Sequence, residues 1–333
     1  MAVRALALLS GGLDSALAIR IIQEQGIEVT ALNFTSPFCN CTQKGAGCAN
    51  QAVKVAKELD IRIIVKPKGM EFLRIIENPQ HGRGKQMNPC IDCRIFMLRK
   101  ARDVMEETGA SFIITGEVLG QRPMSQRRDT IHLIERESGL RGLILRPLSA
   151  KFFAPTLAEE QGMVDREKLL RISGRSRKVQ LDLASQLQLR GYACPAGGCL
   201  LTDAAIARRL RDLFAHCPEY TMKDIHLLRF GRHFRLNERL KLVGGRNKEE
   251  NERITAFPMG NDVIITPDQF PGPVAVACGN VSAPDLELAG GIIARYGKPG
   301  LLQPWITVAS KDGTERFQVS RILTETEIDP FRL

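Results

Sequence analysis

Short apolar segments alternate with amphipathic segments along the first half of the chain. The apolar runs lie at 5–9, 29–34, 62–65, 111–115 and 143–145, and each has the length of a strand. Between them, apolar residues recur with helical spacing at 15–25, 51–59 and 93–107. Strands that alternate with helices form βαβ units. The pattern therefore predicts an α/β fold with a parallel sheet that carries helices on both faces.

The pattern changes twice beyond Pro147. Residues 151–220 combine a basic stretch, a loop rich in Cys and Gly, and a helix predicted at 202–214. From about Thr221 onward, short strands and Gly/Pro turns predict a smaller α+β domain. We therefore expect three parts, at 1–150, 151–220 and 221–333, and the middle part would complete the site formed by the first.

The most informative segment is Ser-Gly-Gly-Leu-Asp-Ser, which joins the first strand to the first helix. Gly11 and Gly12 allow backbone N–H groups to approach an anion, and a helix N-terminus favours negative charge. Ser10 and Ser15 would donate hydrogen bonds to phosphates, while Asp14 would help to hold Mg²⁺. The segment lacks the lysine of a kinase-type phosphate loop and the spacing of a dinucleotide fingerprint. A strand–helix turn with no ligand is the alternative.

Composition limits the compartments and partners that we expect for the protein. The chain has 333 residues, 44% of them hydrophobic, and no apolar run approaches the length of a membrane span. The first apolar run is too short for a signal peptide, so we expect no membrane association and a cytoplasmic protein. A formal charge of +10 favours a polyanionic partner, although a solvated basic surface would give the same composition.

The cysteines suggest metal or sulfur chemistry, because a reducing compartment disfavours a disulfide framework. Cys90 and Cys93 have C-x-x-C spacing at the start of a helix, whose N-terminus lowers the pKa of a thiol. Cys199 would add a third thiolate and leave one coordination position open, and Cys194 precedes it by five residues. Three options remain at this stage: a three-cysteine iron–sulfur cluster, a zinc or four-thiolate structural site, and a persulfide or disulfide pair.

Two further sets of residues have no single interpretation. Cys39, Cys41 and Cys48 match no common zinc spacing, so they could bind a metal, assist sulfur delivery or belong to an ordinary loop. Asp92 is a candidate acid or base by position, and a helix N-cap is an equally good interpretation.

Several motifs together resemble the tRNA-thiolating branch of the PP-loop ATP pyrophosphatase superfamily. They are the Ser-Gly-Gly-Leu-Asp-Ser segment, Asn-Pro-Cys-Ile-Asp-Cys at 88–93, the long segment 115–126 that begins Thr-Gly-Glu, and Gly-Gly-Cys at 197–199. The relatives in view are the tRNA 2-thiouridylases and the 4-thiouridine synthases. We expect no N-terminal RNA-binding extension like that of the latter, and the region after Thr221 does not resemble the barrel of the former.

This resemblance implies an adenine nucleotide alpha hydrolase-like fold for 1–150, which would bind ATP and Mg²⁺. It places Thr115 and Gly116 in the AMP pocket. Some members hold a 4Fe–4S cluster on three cysteines, which implies Cys90, Cys93 and Cys199 here, with zinc as the alternative metal.

The last part of the chain resembles a different family. Residues 244–247, 250–251, 270–274 and 288–290 are similar to motifs of the NFACT-R (DUF814-type) domain, which is implicated in RNA binding. From 241 to the end, 10 Lys and Arg stand against 12 Asp and Glu. Docking or dimerisation, as in a homodimer, is therefore an alternative role for this domain.

Taken together, the resemblance implies ATP-dependent thiolation of tRNA. A uridine carbonyl oxygen would be adenylated with release of pyrophosphate, and sulfur from inorganic sulfide or a persulfide carrier would then displace AMP. The tRNA backbone would lie on basic side chains, for which the candidates are Arg175, Arg177, Lys178, Arg208 and Arg209. The competing classes are a PP-loop amidoligase or small-molecule sulfurtransferase, and a non-catalytic RNA- or nucleotide-binding regulator with a structural metal site.

Overall fold

A computed structural model describes residues 3–39, 48–192, 199–258, 260–297 and 303–333. The chain divides into two compact units, Met1–Thr202 and Asp203–Leu333. The division falls earlier than the boundary expected at 220, so the helix that we assigned to the basic extension begins the second unit. In the described ranges, no helix is long and apolar enough to cross a membrane.

The first unit is built on a five-stranded parallel sheet with the strand order β3-β2-β1-β4-β5. Its strands are β1 (Arg4–Leu8), β2 (Glu28–Thr35), β3 (Ile63–Pro67), β4 (Phe112–Thr115) and β5 (Ile144–Leu145). All five were predicted from the apolar runs to within two residues at each end. The parallel α/β architecture is therefore confirmed.

Helices cover this sheet because successive residues of each strand point to opposite faces. The helices of this unit are α1 (Leu13–Gln23), α2 (Cys48–Glu58), α3 (Gly69–Glu77), α4 (Cys90–Thr108), α5 (Arg128–Ser138), α6 (Leu157–Glu160) and α7 (Lys178–Gln186). Ala5 and Ala7 of β1 pack in the same core as α1, α2 and α7. Leu6, between them in sequence, packs in the core formed with α4 and α5.

The strand order creates one point on the sheet at which the direction of the chain reverses. The chain runs outward from β1 to β2 and β3, and then returns to β4 on the other side of β1. Ligands of such open sheets bind beyond the carboxyl ends of the strands at this reversal point. The segments that leave β1 and β4 are the Ser-Gly-Gly-Leu-Asp-Ser loop and the Thr-Gly-Glu motif, so the fold predicts that they form one site.

The second unit is an α+β domain with a six-stranded antiparallel sheet in the order β11-β10-β8-β9-β7-β6. Its strands are β6 (Arg232–Asn237), β7 (Leu240–Gly244), β8 (Val263–Asp268), β9 (Ala275–Cys278), β10 (Trp305–Ser310) and β11 (Gly313–Gln318). Its helices are α8 (Ala204–His216), α9 (Met222–Leu227), α10 (Lys248–Ile254), α11 (Ala283–Tyr296) and α12 (Glu325–Ile328). The predicted change to short strands after Thr221 is confirmed.

Candidate functional site

The loop after β1 forms a compact turn held by its two serines. The Ser15 hydroxyl donates to the Gly12 carbonyl at 2.8 Å and lies 3.2 Å from the Ser10 hydroxyl. Gly11 has a φ of +78°, and a Cβ there would stand 2.9 Å from the backbone nitrogen of Ala52, so a side chain does not fit. Gly12 is the N-cap of α1 and has no side chain to occupy the first-turn N–H groups. These N–H groups are therefore available to an anion.

Asp14, in the first turn of α1, has one carboxylate oxygen engaged and one without a partner. Its Oδ2 accepts from Gln121 Nε2 at 3.2 Å and lies 3.7 Å from Arg177 Nη2. Its Oδ1 is buried and has no hydrogen-bond partner among the described residues. Buried carboxylate oxygens are expected to be paired or to coordinate metal. This oxygen therefore fits the hard oxygen ligand that Mg²⁺ would need beside phosphates.

Gly116 brings the end of β4 directly against this loop. A Cβ at position 116 would lie 2.5 Å from both the Asp14 carbonyl carbon and the Ser15 nitrogen. Only glycine allows this approach, since a real Cβ would collide with the backbone of α1. Thr115 precedes it and is fully buried, with its hydroxyl donating to Glu117 Oε2 at 3.2 Å. The structure thus brings the Thr115–Gly116 end of β4 against the Ser-Gly-Gly-Leu-Asp-Ser loop, and the place of these two residues in an AMP pocket stays a prediction.

A buried carboxylate connects this loop to the helix that carries the C-x-x-C pair. Glu117 is 1% exposed and accepts from Arg94 Nε at 2.7 Å and from Arg146 Nε at 2.9 Å. Arg146 also pairs with Glu135. Burial alone would raise the pKa of Glu117, but the two guanidinium groups lower it to about 2. This network was not predicted from the sequence, because its four members come from four separate segments of the chain.

Thiols gather around Lys68, the residue that follows β3. Lys68 Nζ donates to Cys93 Sγ at 3.0 Å. Burial would lower the pKa of Lys68, but the charge of Cys93, with contributions from Cys199 and Cys39, raises it. Cys39, which follows β2, forms an isolated antiparallel bridge with Cys199. Lys68 was missed in the sequence, although its place after a strand at the carboxyl edge of the sheet was a usable signal.

Two of these thiols, Cys90 and Cys199, are less acidic than free thiols because they are buried. Burial raises the pKa of Cys90, and the neighbouring Cys93 thiol raises it further. Burial also raises the pKa of Cys199 to about 11, although the Leu201 backbone and Lys68 oppose the increase. The expectation of a lowered thiol pKa is therefore wrong for Cys90, because desolvation of a thiolate outweighs the helix dipole here.

The same thiols bear on the question of a bound metal. Among the residues that the structure describes, no group of three or more Cys, His, Asp or Glu side chains is arranged to hold a single metal ion. The donor set nevertheless fits an iron–sulfur cluster in kind, because thiolates are the usual ligands of such clusters. Lys68 would also offset the negative charge of a thiolate-ligated cluster. The four-thiolate alternative depends on Cys194, which lies outside the described residues.

The Asp92 carboxylate forms hydrogen bonds with residues that precede α4. Its carboxylate accepts from the backbone N–H of Gln80 at 3.2 Å and from the N–H of His81 at 3.1 Å, and it lies 2.9 Å from His81 Nδ1. These bonds connect the segment before α4 to the first turn of that helix. The N-cap interpretation of Asp92 is wrong, because Pro89 is the N-cap of α4 and Asp92 lies inside the first turn. A role as acid or base stays a prediction.

The candidate RNA contacts differ in their surroundings. Arg175 and Lys178 are exposed in the first unit, as is Arg208 in the second. Arg177 instead faces Asp14. Arg209 donates to the carbonyls of Leu228 at 2.8 Å and Gly231 at 3.2 Å, which connect α8 to the β-domain. Burial lowers its pKa to about 10. Contacts within the fold thus account for Arg177 and Arg209, two of the five candidate RNA contacts.

Other predicted positions lie outside what the structure describes. These are Cys41, Cys194 and the Gly-Gly pair at 197–198. Cys48 begins α2, but its side chain is not described.

Comparisons with known families divide the chain in the same way as the structure. Residues 1–151 match the family model for the Thiamine biosynthesis protein (ThiI). Combined with the Ser-Gly-Gly-Leu-Asp-Ser loop at the reversal point, this match shows that the first unit resembles a PP-loop domain. Residues 231–332 match the model for the NFACT protein RNA binding domain, so the second unit is similar to an NFACT-R-type domain.

Curated relatives each align with part of this chain. A probable tRNA sulfurtransferase of Thermococcus kodakarensis is 31% identical over 150 residues, which are 44% of this chain and 36% of the relative. The tRNA-specific 2-thiouridylase MnmA of Pelobacter propionicus is 33% identical over 115 residues, which are 32% of this chain and 31% of the relative. The chain thus spans about a third of the length of these relatives.

Among solved structures, a 4-thiouridine synthetase–RNA complex with bound ATP aligns over 56% of this chain and 50% of that chain, at 22% identity. Its TM-score of 0.35 is too low to establish a shared overall fold.

Proposed function

We propose that this protein is an ATP-dependent tRNA sulfurtransferase. The observation that carries the proposal is that a phosphate loop and a group of thiols share one edge of a parallel sheet. The phosphate loop follows β1 and meets the end of β4, while Cys39 and Lys68 follow β2 and β3. Carboxyl ends of parallel strands lie at the same edge. A nucleotide and a sulfur-bearing group would therefore be held on one side of the fold. The names of the relatives support tRNA as the substrate.

The phosphate loop would serve the first step. A uridine carbonyl oxygen would attack the α-phosphorus of ATP, the bond to the β-phosphate would break, and pyrophosphate would leave. Backbone N–H groups at the start of α1 would hold the phosphates, and Asp14 would hold Mg²⁺ against them. Thr115 and Gly116 would line the AMP pocket. The adenylated oxygen leaves as AMP far more readily than as hydroxide.

The thiol group would serve the second step. Sulfur would form a bond to the activated ring carbon, and the bond from that carbon to the adenylated oxygen would break with release of AMP. Lys68 would stabilise negative charge on sulfur, since its ammonium already lies 3.0 Å from Cys93 Sγ. Cys90, Cys93 and Cys199 would hold a 4Fe–4S cluster, which when bound supplies an iron that can carry sulfide. The source of sulfur would be inorganic sulfide or a persulfide carrier.

The two units would share the recognition of RNA. Arg175 and Lys178 are exposed beside the PP-loop domain, where they can neutralise backbone phosphates. The NFACT-R-type domain would add contacts of its own, as the name of its family suggests. An arginine held by carbonyls, such as Arg209, would instead stabilise the second unit.

The proposal is tested by the dependence of pyrophosphate release on the acceptor. We expect purified protein to release pyrophosphate from ATP when bulk tRNA lacking thiouridine is added, and nucleoside mass spectrometry to find a thiolated uridine in the product. Release with small amines or carboxylic acids but not with tRNA would instead indicate an amidoligase. Binding of ATP with no turnover would indicate a regulator.

A further inference from the structure

Cys39 and Cys199 face each other across an isolated pair of extended segments. The two residues are directly opposite in an antiparallel bridge, so their side chains point to the same face. Both are partly buried. No sequence pattern pairs them, because Cys39 belongs to a group whose spacing matches no common site.

The backbone hydrogen bonds define the type of this pair. Leu200 N–H donates to the Phe38 carbonyl at 2.8 Å, which places the bond one residue away from the pair itself. Cys39 N–H donates to the Ser36 carbonyl at 3.2 Å, and the Cys199 carbonyl accepts from the Thr202 N–H at 2.9 Å, so these two groups do not bond to each other. Cys39 and Cys199 are therefore a non-hydrogen-bonded pair, the closer of the two kinds, with Cα atoms about 4.5 Å apart. A disulfide requires a Cα separation of about 4.4–6.8 Å.

Lys68, whose ammonium donates to Cys93, lies in the electrostatic surroundings of both cysteines of the pair. Burial nevertheless raises the pKa of Cys199 to about 11, so the case for exchange rests on the short separation of the two side chains.

We propose that Cys39 and Cys199 form a reversible disulfide by exchange with low-molecular-weight disulfides. One thiolate attacks the small disulfide and expels a thiol; the second attacks the resulting mixed disulfide at the protein sulfur and expels the other. The two cysteines lose two protons and two electrons, and the small disulfide becomes two thiols. The formation of this bond follows from the geometry alone.

The consequence for activity rests on the proposed function. The disulfide withdraws Cys199 from sulfur transfer and from any metal that it would hold. The phosphate loop is built from the ends of β1 and β4, so adenylation does not need either cysteine. Oxidation would therefore separate the two half-reactions, stopping the second and leaving the first.

The bond is tested on the purified full chain treated with oxidised glutathione, blocked with iodoacetamide and digested for mass spectrometry. We expect a peptide that links Cys39 to Cys199, and its loss on reduction with dithiothreitol. The matched variants Cys41→Ser and Cys194→Ser should keep the linked peptide, and Cys39→Ser should lose it. Alkylated Cys39 after oxidation, or a link from Cys199 to Cys93 in its place, would overturn the proposal.

A second measurement isolates the effect on function. After oxidation, we expect pyrophosphate release with tRNA to continue while thiolation is lost, and dithiothreitol to restore thiolation. Oxidised protein that still thiolates tRNA, despite a linked peptide, would refute the withdrawal of Cys199. If reduced protein neither releases pyrophosphate nor thiolates tRNA, the proposed function fails, while the peptide analysis still decides whether the disulfide forms.

Discussion

At the scale of single residues, Asp14 is defined by an asymmetry between its two carboxylate oxygens. Oδ2 meets Gln121 and Arg177, whereas Oδ1 is buried without a partner among the described residues. A carboxylate in an apolar setting needs compensation for its lost hydration. A divalent cation held jointly with phosphates would supply that compensation, so the unpaired oxygen supports the Mg²⁺ site of the proposed first step.

We expect Asp14→Asn to reduce tRNA-dependent pyrophosphate release at least about 100-fold, because an amide is a poor ligand for Mg²⁺. Binding of tRNA, measured by filter retention, should remain unchanged. Asp182→Asn, at an exposed position of α7, is the matched control and should behave like wild type. Full turnover by Asp14→Asn would exclude Asp14 as the metal ligand.

Arg177 shows that neighbouring basic residues can have different roles. Its guanidinium faces the phosphate loop through Asp14, whereas Arg175, two residues earlier, is exposed. Because they are close in sequence, both were assigned to RNA binding. The difference became apparent only from the contact across the loop.

We expect Arg177→Ala to raise the KM for ATP about tenfold, the cost of one charge-assisted contact to phosphate. Arg175→Ala should leave that KM unchanged and should instead weaken tRNA binding, lowering its salt dependence by about one counterion. Steady-state kinetics and binding titrations at several salt concentrations distinguish the two. The reverse outcome would return Arg177 to the RNA surface.

At the scale of elements, the Glu117 network holds the end of β4 to the first turns of α4. One carboxylate accepts from two arginines in a region that excludes water. Removing one member of a buried ionic group leaves the others uncompensated, which costs more than the group contributes as a whole. The position of the C-x-x-C helix relative to the end of β4 therefore depends on Glu117.

We expect Glu117→Gln to lower the free energy of unfolding by about 3 kcal/mol, as measured by urea denaturation. The control is Glu167→Gln, which removes an exposed ion pair with Lys151 and should change stability by less than about 0.5 kcal/mol. Equal stability of the two variants would show that Arg94 and Arg146 find other partners.

The lowered pKa of Glu117 also predicts how stability responds to acid. The carboxylate titrates at about 2 in the folded chain and near 4.5 when unfolded. Its contribution is therefore fully present above pH 4.5 and is lost as the pH falls towards 2. Wild type should lose more stability than Glu117→Gln across this interval in parallel denaturation series, whereas parallel curves would indicate a normal pKa.

The elements were the easiest feature to predict, because each depends on a local pattern. Alternating apolar runs located every strand of the first sheet, and the glycine pattern located the phosphate loop. The partners of these elements were harder to predict. Cys39 meets Cys199, and Glu117 meets Arg94 and Arg146, across distances in sequence that no periodicity encodes. Lys68 was missed for the same reason, since its role arises only from the thiols brought to it.

At the scale of the whole molecule, charge is divided unequally between the two units. Residues 1–202 carry 29 Lys and Arg against 20 Asp and Glu, whereas residues 203–333 carry 18 against 17. Binding of a nucleic acid through its phosphates releases counterions in proportion to the positive charges that contact it. The two units should therefore make different kinds of contribution to RNA affinity.

We expect tRNA affinity of the full chain to fall linearly with salt concentration on logarithmic axes, with most of the slope supplied by the first unit. Charge reversal of exposed basic residues there, such as Lys178→Glu, should flatten the slope. The same reversal at Arg239, in the second unit, should alter it less. Binding that is insensitive to salt would indicate recognition through the shape of the RNA or through its bases.

Arg94 donates to Glu117 and also lies in the electrostatic field of the cysteines: burial lowers its pKa, whereas Glu117 and, to a smaller extent, Cys93 and Cys90 raise it. Any movement of that carboxylate when a nucleotide enters shifts a positive charge beside the thiols. The alkylation rate of the C-x-x-C pair would then work as an intrinsic sensor of nucleotide occupancy. Candidate nucleotides could be screened by a simple labelling assay before any RNA acceptor is known.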